Sequence, residues 1–288
     1  MDDSSIQEFE EVGLKVKGTV VEGIESADIV IDATPKGVGI KNMEIYRNNG
    51  KKAILQGGEP HDIVEVSFVA QANYVEALGK NYVRVVSCNT TAMSRVLVEL
   101  MKVGKIEKVR GVIVRRAADP WEIKRGPIDA IVPSLKIPSH HAPDVKTVIK
   151  NLDITTLAVV VPTTRMHLHI LNIEFASDID RDAISEALIS APRIVLLSKK
   201  LGIDSTATTI ELARDLGRKR NDLYEVIVFE DSVRVLDREV WMMYAVHQEA
   251  IVVPENIDAV RAMFGMYDDA MKSIEKTDRS LGIMSRLW

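Results

Sequence analysis

The segment NYVRVVSCNTTAMSRVLVEL, residues 81–100, joins two patterns at the chain's only cysteine, Cys88. Its first half is rich in β-branched and aromatic residues and predicts a strand. Its second half repeats apolar residues at spacings of three and four, which predicts a helix with one apolar face. The polar residues 89–91 between them are types that cap helix N-termini. Cys88 is therefore expected at a strand-to-helix junction, where the helix dipole lowers the pKa of a thiol. A buried structural cysteine is the alternative.

The composition limits the class of protein. The chain has 288 residues, 46% of them apolar, and a formal net charge of −5. This is enough for two modest domains, and the acidic balance makes nucleic acid an unexpected partner. One cysteine allows no internal disulfide, which suits a reducing cytoplasm. The acidic start does not resemble a signal peptide, and no apolar run has the length of a membrane span. We therefore expect a cytoplasmic protein.

The first third of the chain alternates buried strands with helical stretches, which predicts a parallel, Rossmann-like sheet. Strands are expected within residues 26–35, 51–58 and 81–88, and residues 65–79 have helical composition. Ligands of such sheets bind beyond the carboxyl ends of the strands. The ends at Asp32, Gln56 and Ser87 are therefore candidate site positions.

After about residue 108 the pattern changes to long strand-like runs with helical inserts at RDAISEALI and DSTATTIELARDLGR. DSVRV follows VIVFE at hairpin distance, which predicts a mostly antiparallel sheet with helices on one face. The chain closes with PENIDAVRAMFGMYDDAMKSIEK, interpreted as one long amphipathic helix with Pro254 near its start. The predicted fold class is α/β, with a Rossmann-like parallel-sheet domain followed by an α+β domain with a mostly antiparallel sheet.

Two arginines and a pair of histidines are candidate anion contacts. Arg115 and Arg116 end a predicted strand and could bind a phosphate bidentately, or they could be a solvated strand end. His140 and His141 lie in a predicted loop, as anion contacts or as incidental surface residues.

A second group of polar residues lies in apolar strands. His167 and His169 share one strand face, which suits a general base or, less readily, a zinc site. His247 and Gln248 are either satisfied core groups or part of a pocket, and Gly58 is either a turn residue or a point of close ligand approach. A nucleophilic thiol, a base and paired arginines together indicate covalent catalysis on the carbonyl of an anionic substrate.

Five separated motifs, in order, resemble the archaeal, type II glyceraldehyde-3-phosphate dehydrogenases. The motifs are SCNTT (87–91), RRAADP (115–120), PSHHAPDV (138–145), PTTRMHLH (162–169) and AVHQEAIVVPENIDAVRAMF (245–264). The resemblance runs from about residue 10 to the C-terminus. It departs from the family at Ala92 and Ala142, where glycine is usual.

The resemblance implies phosphorylating oxidation of glyceraldehyde 3-phosphate to 1,3-bisphosphoglycerate, in glycolysis and gluconeogenesis, by a homotetramer. Cys88 would form a thiohemiacetal and then a thioester, which inorganic phosphate would cleave. His167 would take the proton, with His169 as the alternative base on the same strand face.

The remaining site residues follow from the same resemblance. Substrate or phosphate contacts fall to a group of five residues: Ser87, Asn89, Arg115, His140 and His141. The resemblance assigns contacts with the cofactor, NAD or NADP, to Gly58, Arg116 and Gln248.

The resemblance also implies a domain division. Residues 1–88, joined by a C-terminal helix at 255–288, would form an incomplete dinucleotide-binding domain, and residues 89–254 the catalytic domain. The family's opening strand and G-x-G-x-x-G turn are not found, so the chain is expected to start roughly 30–50 residues into that domain, about one βαβ unit with its next strand, with weakened dinucleotide binding. The alternatives are a related enzyme, such as aspartate-semialdehyde dehydrogenase, and a non-catalytic fragment that only associates.

Overall fold

The structure, a computed structural model, describes residues 3–117 and 126–283. The strands are β1 Ile29–Asp32, β2 Lys52–Gln56, β3 Val66–Phe68, β4 Tyr82–Val85, β5 Ile106–Arg116, β6 Val132–Pro133, β7 Ile154–Val161, β8 His167–Phe175, β9 Ile194–Leu197, β10 Val226–Phe229, β11 Arg234–Leu236 and β12 Glu239–Val246. The α-helices are α1 Asp3–Glu11, α2 Val20–Ser26, α3 Gly39–Asn48, α4 Ala70–Asn73, α5 Cys88–Leu100, α6 His141–Lys146, α7 Arg181–Ser190, α8 Thr206–Asp215, α9 Val253–Met263 and α10 Ala270–Leu281. Short 3₁₀ turns cover His61–Ile63, Tyr74–Ala77, Lys199–Leu201 and Glu230–Ser232.

The first sheet is parallel throughout, in the order β1-β2-β4-β3. Alternate residues of β2 face opposite layers: Ala53 and Leu55 pack with α2 and α3, and Ile54 packs with α9 and α10. Burial on both faces explains why β2 is a continuous apolar run, whereas Ile31 of the edge strand β1 is exposed. The Rossmann-like prediction is confirmed. One interpretation is wrong, because residues 66–68 form strand β3 where a helix was expected.

The second sheet is mixed and mostly antiparallel, in the order β6-β7-β5-β8-β12-β10-β9, with β11 paired to β12. The parallel pairs are β5 with β7 and β9 with β10. The predicted hairpin between VIVFE and DSVRV is wrong, since β10 and β11 each pair with β12 instead. Strand β9 was not predicted.

Helices cover the second sheet unevenly. The apolar side of α5 packs with α7 against β5, β8 and β12, and forms the largest core of the described residues. Helix α8 lies on the other face, where Ala213 packs with Ile227 of β10. The expectation of helices on one face only is therefore wrong at the β9–β10 end of the sheet.

The C-terminal segment forms two helices, α9 and α10, and not the single long helix expected from its sequence. Gly265, with φ of +59°, lies just after α9 and adopts the left-handed conformation that ends a helix. Both helices pack on the first sheet through Ala259, Met263 and Ile274. The division into two domains at residue 88 stays a prediction.

None of the helices within the described ranges has the length and apolarity that a membrane crossing requires.

Candidate active site

Cys88 is the first residue of α5, directly beyond the carboxyl end of β4. Ser87 is the N-cap, and its Oγ accepts a hydrogen bond from the Thr90 N–H at 3.4 Å. The cap is thus Ser87, and not one of residues 89–91 as their types had suggested. The predicted strand-to-helix junction is otherwise confirmed.

The Cys88 side chain is buried, with 7% of its surface exposed. Burial raises the pKa of the thiol to about 11, although the Asn89 N–H and the charges of Arg115 and Arg116 act in the opposite direction. The sequence predicted a lowered pKa from the helix N-terminus. That prediction is wrong for this state of the protein, because the loss of solvation outweighs the dipole and the two cations.

Asn89 links two buried histidines in one directed hydrogen-bond chain. Its Oδ1 accepts from His169 Nε2–H at 2.7 Å, and its amide nitrogen donates to His141 Nε2 at 3.3 Å. His169 Nδ1 in turn accepts from the Tyr244 hydroxyl, and His141 Nδ1–H donates to the Ser139 Oγ at 3.0 Å. Each polar group thus has a partner, and the chain holds Asn89 rigidly beside the thiol.

The two paired histidines differ in exposure. His141 opens α6 and is fully buried, whereas His140 is exposed and stacks on it with ring centroids 3.9 Å apart. Burial lowers the pKa of both rings, to about 2 for His141. The predicted loop is therefore a helix start, and His140 is the member of the pair that a ligand can reach.

His167 has a fixed tautomer. The backbone N–H of Arg116 donates to His167 Nδ1 at 2.9 Å, so the proton of the neutral ring is on Nε2. That Nε2–H donates to Gln248 Oε1 at 3.1 Å. Burial and the charges of Arg115 and Arg116 lower the pKa of His167 to about 3. In this arrangement His167 is a neutral donor, because the nitrogen that could accept a proton is already bound to a backbone N–H.

Arg116 is buried and joins β5 to the loop after β12. Its Nε donates to Gln248 Oε1 at 2.5 Å, and its NH1 group donates to the Thr164 carbonyl at 3.2 Å. Gln248 is thereby fixed between Arg116 and His167.

Arg115 has a different environment. Its Nε is buried, and no acceptor for it lies within residues 3–117 and 126–283. Its positive charge lowers the pKa of Cys88, His140, His141 and His167, which places the guanidinium among them. A guanidinium whose Nε lacks an acceptor in the described part of the chain, and whose charge acts on neutral rings and a thiol, is suited to an anionic ligand.

An ion pair that sequence reasoning missed ties the two sheets together at this site. The Arg84 guanidinium on β4 lies 2.6 Å from Asp144 Oδ1 on α6, and the Thr90 hydroxyl donates to Asp144 Oδ2 at 2.5 Å. Arg84 also donates to Ser67 Oγ. An arginine inside the otherwise apolar run YVRVV was the available signal.

The backbone after β2 packs tightly against the cysteine turn. A Cβ atom on Gly57 would lie 2.3 Å from the Ser87 nitrogen, so only glycine fits there. Gly58 is exposed, and a Cβ atom on it would lie 3.2 Å from the Lys36 Cβ. The loops after β1 and β2 therefore meet at the edge where dinucleotides bind in such sheets.

Two backbone N–H groups of the glycine-containing loop after β1 bind a side chain of the protein. The backbone N–H groups of Gly37 and Gly39 both donate to Glu59 Oε1, at 2.7 and 3.2 Å. They are therefore not open to a phosphate, and the glycines of the segment KGVGIKN, residues 36–42, do not have the G-x-G-x-x-G spacing of a pyrophosphate-binding turn.

Other expectations concern small residues and metal ligands. Ala92 and Ala142 both lie inside helices, so neither position requires the positive φ that would favour glycine. Residues 118–120 of the RRAADP motif lie outside the described residues. No group of three or more potential metal ligands is arranged around a common point in the described ranges.

Comparison with known proteins identifies the family. The profile named "Glyceraldehyde 3-phosphate dehydrogenase, C-terminal domain" matches residues 87–232. A glyceraldehyde-3-phosphate dehydrogenase of Metallosphaera sedula is 56% identical over 280 residues, which is 97% of this chain and 82% of that protein. The chain belongs to the glyceraldehyde-3-phosphate dehydrogenase family. Proteins of the same name from Saccharolobus islandicus and Saccharolobus solfataricus are each 53% identical over 281 residues, with the same coverage of both chains.

Proposed function

We propose that this member of the glyceraldehyde-3-phosphate dehydrogenase family oxidises glyceraldehyde 3-phosphate and phosphorylates it to 1,3-bisphosphoglycerate, with a nicotinamide cofactor. The observation that carries the proposal is the Arg115 guanidinium, whose Nε has no acceptor among residues 3–117 and 126–283 and whose charge acts on the buried Cys88 thiol at the start of α5. A thiol attacks an aldehyde carbon, and a cation beside it selects a substrate that carries an anionic group.

The chemistry begins with the Cys88 sulfur, which adds to the aldehyde carbon to give a thiohemiacetal. The backbone N–H of Asn89, which already contacts the sulfur, and the N-terminus of α5 favour negative charge here. Arg115 binds a phosphate group of the substrate, with Ser87, Asn89 and the exposed His140 as further contacts. His141 holds two of these residues in place, because it accepts a hydrogen bond from the Asn89 amide and stacks on the ring of His140.

His167 is assigned a different role from the base predicted by sequence. We propose that its Nε2–H turns from Gln248 to the aldehyde oxygen and stabilises the charge that develops there. The thiol proton then needs another acceptor. His140 is suited to this, because its lowered pKa keeps the ring uncharged and so able to accept a proton, and no hydrogen bond engages the ring within the described ranges.

The residues present fit the nicotinamide end of a cofactor. Gln248 uses Oε1 for Arg116 and His167, and its amide nitrogen, which has no acceptor among the described residues, can donate to a ligand. The exposed backbone of Gly58 offers a second contact. When bound, the cofactor supplies the acceptor for the hydride, and a thioester remains on Cys88. Attack by an oxygen of inorganic phosphate then forms the acyl phosphate and frees the sulfur.

Further properties follow from the family. We propose that the cofactor is NAD or NADP, that the protein acts in the cytoplasm in glycolysis and gluconeogenesis, and that it assembles as a homotetramer. Residues 89–254 would form the catalytic domain, and residues 1–88 with α9 and α10 the cofactor domain.

The test supplies glyceraldehyde 3-phosphate, inorganic phosphate and NAD or NADP, and follows absorbance of the reduced cofactor. Cys88→Ser is expected to abolish turnover. Arg115→Gln is expected to raise KM for a phosphorylated substrate roughly 10- to 100-fold, the value of one charge-assisted hydrogen bond. Arg110→Gln is the matched control, since Arg110 lies on the same strand, is exposed and pairs with Asp153. Equal rates with aspartate semialdehyde, or turnover that survives Cys88→Ser, would refute the proposal.

A second measurement tests the state of the thiol. Because the pKa of Cys88 is raised to about 11, its alkylation by iodoacetamide in the free protein should rise about tenfold per pH unit from neutral pH. A rate that is already maximal near pH 7 would contradict this.

A further inference from the structure

Six buried side chains form an unbroken row of hydrogen bonds from β12 to β7, past the residue that follows Cys88. The row joins, in this order, Tyr244, His169, Asn89, His141, Ser139 and Thr156. None of the six is more than 4% exposed. Because these groups are withdrawn from solvent, their hydrogens need acceptors within the protein. The direction in which one member donates therefore decides the direction of the others.

The row has two self-consistent directions. Burial lowers the pKa of His169 to about 3 and that of His141 to about 2, so each ring is neutral and has one N–H donor and one bare nitrogen. An amide likewise donates from its nitrogen and accepts at its oxygen. The hydrogens can therefore all point from Tyr244 towards Thr156, or all point the other way. In the first case the nitrogen of the Asn89 amide faces His141, and in the second case its oxygen does.

The Thr156 end of the row does not favour either direction. The Ser139 and Thr156 hydroxyl oxygens lie 2.7 Å apart, and either of them can be the donor. Thr156 Oγ1 also accepts from the Ala142 backbone N–H at 3.1 Å, and its hydrogen can go to the Ser139 carbonyl at 3.4 Å. Each hydroxyl hydrogen at this end thus has an acceptor in both directions.

The Tyr244 end favours one direction. The Tyr244 hydroxyl lies 3.0 Å from His169 Nδ1, and the described residues offer it no other acceptor. In a reversed row His169 would donate to the phenol oxygen, and the phenol hydrogen would be buried without an acceptor. That loss disfavours the reversed row roughly 10- to 100-fold. Burial also raises the pKa of Tyr244, so its hydroxyl keeps the hydrogen that it donates.

The direction matters at Asn89, directly after Cys88. Donation from Tyr244 leaves the Asn89 amide nitrogen facing His141, at 3.3 Å, where one of its two hydrogens is used. The other hydrogen has no acceptor among the described residues and can donate to a substrate oxygen. The charge of Arg115 also acts on His141, so this N–H adds to a positive environment. A reversed row would present the amide oxygen instead, which repels the oxygens of an anionic substrate.

We propose that Tyr244 is a positioning residue for the candidate active site. Its hydroxyl donates to His169 and sets the direction of the whole row, so that Asn89 presents its amide N–H, and not its oxygen, to the substrate. The influence of Tyr244 on the substrate passes through His169 and Asn89. The effect on turnover rests on the proposed function, whereas the direction of the row does not.

The direction of the row is measured by NMR of protein with ¹⁵N-labelled histidine, without substrate or cofactor. A protonated ring nitrogen and a bare one have different ¹⁵N shifts, so the spectrum reports which nitrogen of each ring has the hydrogen. Wild-type protein is expected to have it on Nε2 of His169 and on Nδ1 of His141. The opposite pattern in either ring of the wild-type protein overturns the proposal before any variant is made.

Tyr244→Phe removes the donor and keeps the aromatic ring. Both histidines are then expected to become mixtures of their two tautomers, although His141 lies three hydrogen bonds away from Tyr244. A tyrosine that only fills space would leave His141 unchanged, so a single wild-type tautomer of His141 in this variant refutes the positioning role. Tyr74→Phe is the matched control, since Tyr74 is 2% exposed and donates to the Tyr267 carbonyl instead. Mixed tautomers in that control would refute the role as well.

Ser139→Ala changes the row at its other end and keeps the test valid if Tyr244→Phe does not fold. Because Tyr244 still donates in this variant, His169 is expected to keep its hydrogen on Nε2. A transfer of that hydrogen to Nδ1 would show that Tyr244 does not set the direction.

Kinetics with glyceraldehyde 3-phosphate connect the row to the proposed reaction. Only the fraction of protein with the wild-type direction binds substrate well, so in Tyr244→Phe the KM should rise by the inverse of that fraction, with kcat unchanged. Equal populations of the two directions would give a rise of about twofold. A KM that stays at the wild-type value while the tautomers are mixed refutes the presentation of the Asn89 N–H to substrate. The expected tautomers in a wild-type protein without turnover refute only the proposed function.

Discussion

Gly57→Ala should damage the cysteine turn more than any comparable glycine change. The added Cβ would lie 2.3 Å from the Ser87 nitrogen, 2.6 Å from its Cα and 2.7 Å from the Val86 carbonyl carbon. All three are backbone atoms, so no side-chain rotation can relieve the contact. Ordinary contact begins near 3.4 Å, and the turn must therefore shift by about 1 Å.

The shift carries Cys88 with it, because Ser87 is the N-cap of α5. We expect a loss of about 1–3 kcal/mol in the free energy of unfolding from overpacking. A displacement of about 1 Å at the reacting group should cost roughly 100-fold in turnover.

The assay pairs urea unfolding with cofactor reduction and with iodoacetamide alkylation of Cys88, which does not depend on the proposed reaction. Gly23→Ala is the control, because Gly23 lies in α2 and a Cβ added there would meet no atom within 4 Å. Helix propensity alone should stabilise this variant by up to about 1 kcal/mol. Gly58→Ala, with its 3.2 Å approach to Lys36, should fall between the two. Wild-type stability and wild-type alkylation in Gly57→Ala would refute the reasoning.

Two further predictions concern stability. Four histidines have folded-state pKa values of about 2 or 3, lowered chiefly by burial: His141, His167, His169 and His247. In the unfolded chain these four rings become protonated below about pH 6.5, whereas in the folded protein they stay neutral. The free energy of unfolding should therefore fall by about 5 kcal/mol per pH unit between roughly pH 5.5 and 4. Urea titrations that give the same free energy of unfolding at pH 7 and pH 5 would contradict this. Glu255 pairs with Arg95 and Arg193, all three buried, so Glu255→Gln should cost about 3–5 kcal/mol in urea unfolding. Glu107→Gln, which removes the exposed pair with Lys105, should cost less than about 1 kcal/mol, and equal losses would show that burial is not the cause.

Sequence patterns predicted those parts of the fold that local chemistry decides. The positions of strands β1, β2 and β4, the start of α5 and the shared face of His167 and His169 all follow from periodicity and residue type. The burial expected of β1 is wrong, because Ile31 of this edge strand is 49% exposed. The predicted hairpin failed because strand pairing is not local, and β12, later in the chain, pairs with both β10 and β11.

The site shows the same limit. The sequence placed Cys88 at the helix start, but the sign of its pKa shift depends on burial by distant segments, which outweighs the dipole. The tautomer of His167 depends on a backbone N–H of Arg116, 51 positions away in sequence, and no spacing rule contains that contact. Arg84 was visible as a charge in an apolar run, yet its partner Asp144 lies 60 positions away, on helix α6.

The packing of α9 and α10 on the first sheet has a consequence for biosynthesis. Strands β1 to β4 emerge from the ribosome early, but one of their two apolar faces is covered by residues 253–281, the last part of the described chain to be made. At a synthesis rate of about 5–20 residues per second, that face stays exposed for roughly ten seconds or more before α9 and α10 can pack on it. Until residues 253–281 have been made, the nascent chain therefore exposes this apolar sheet face, which favours aggregation during synthesis.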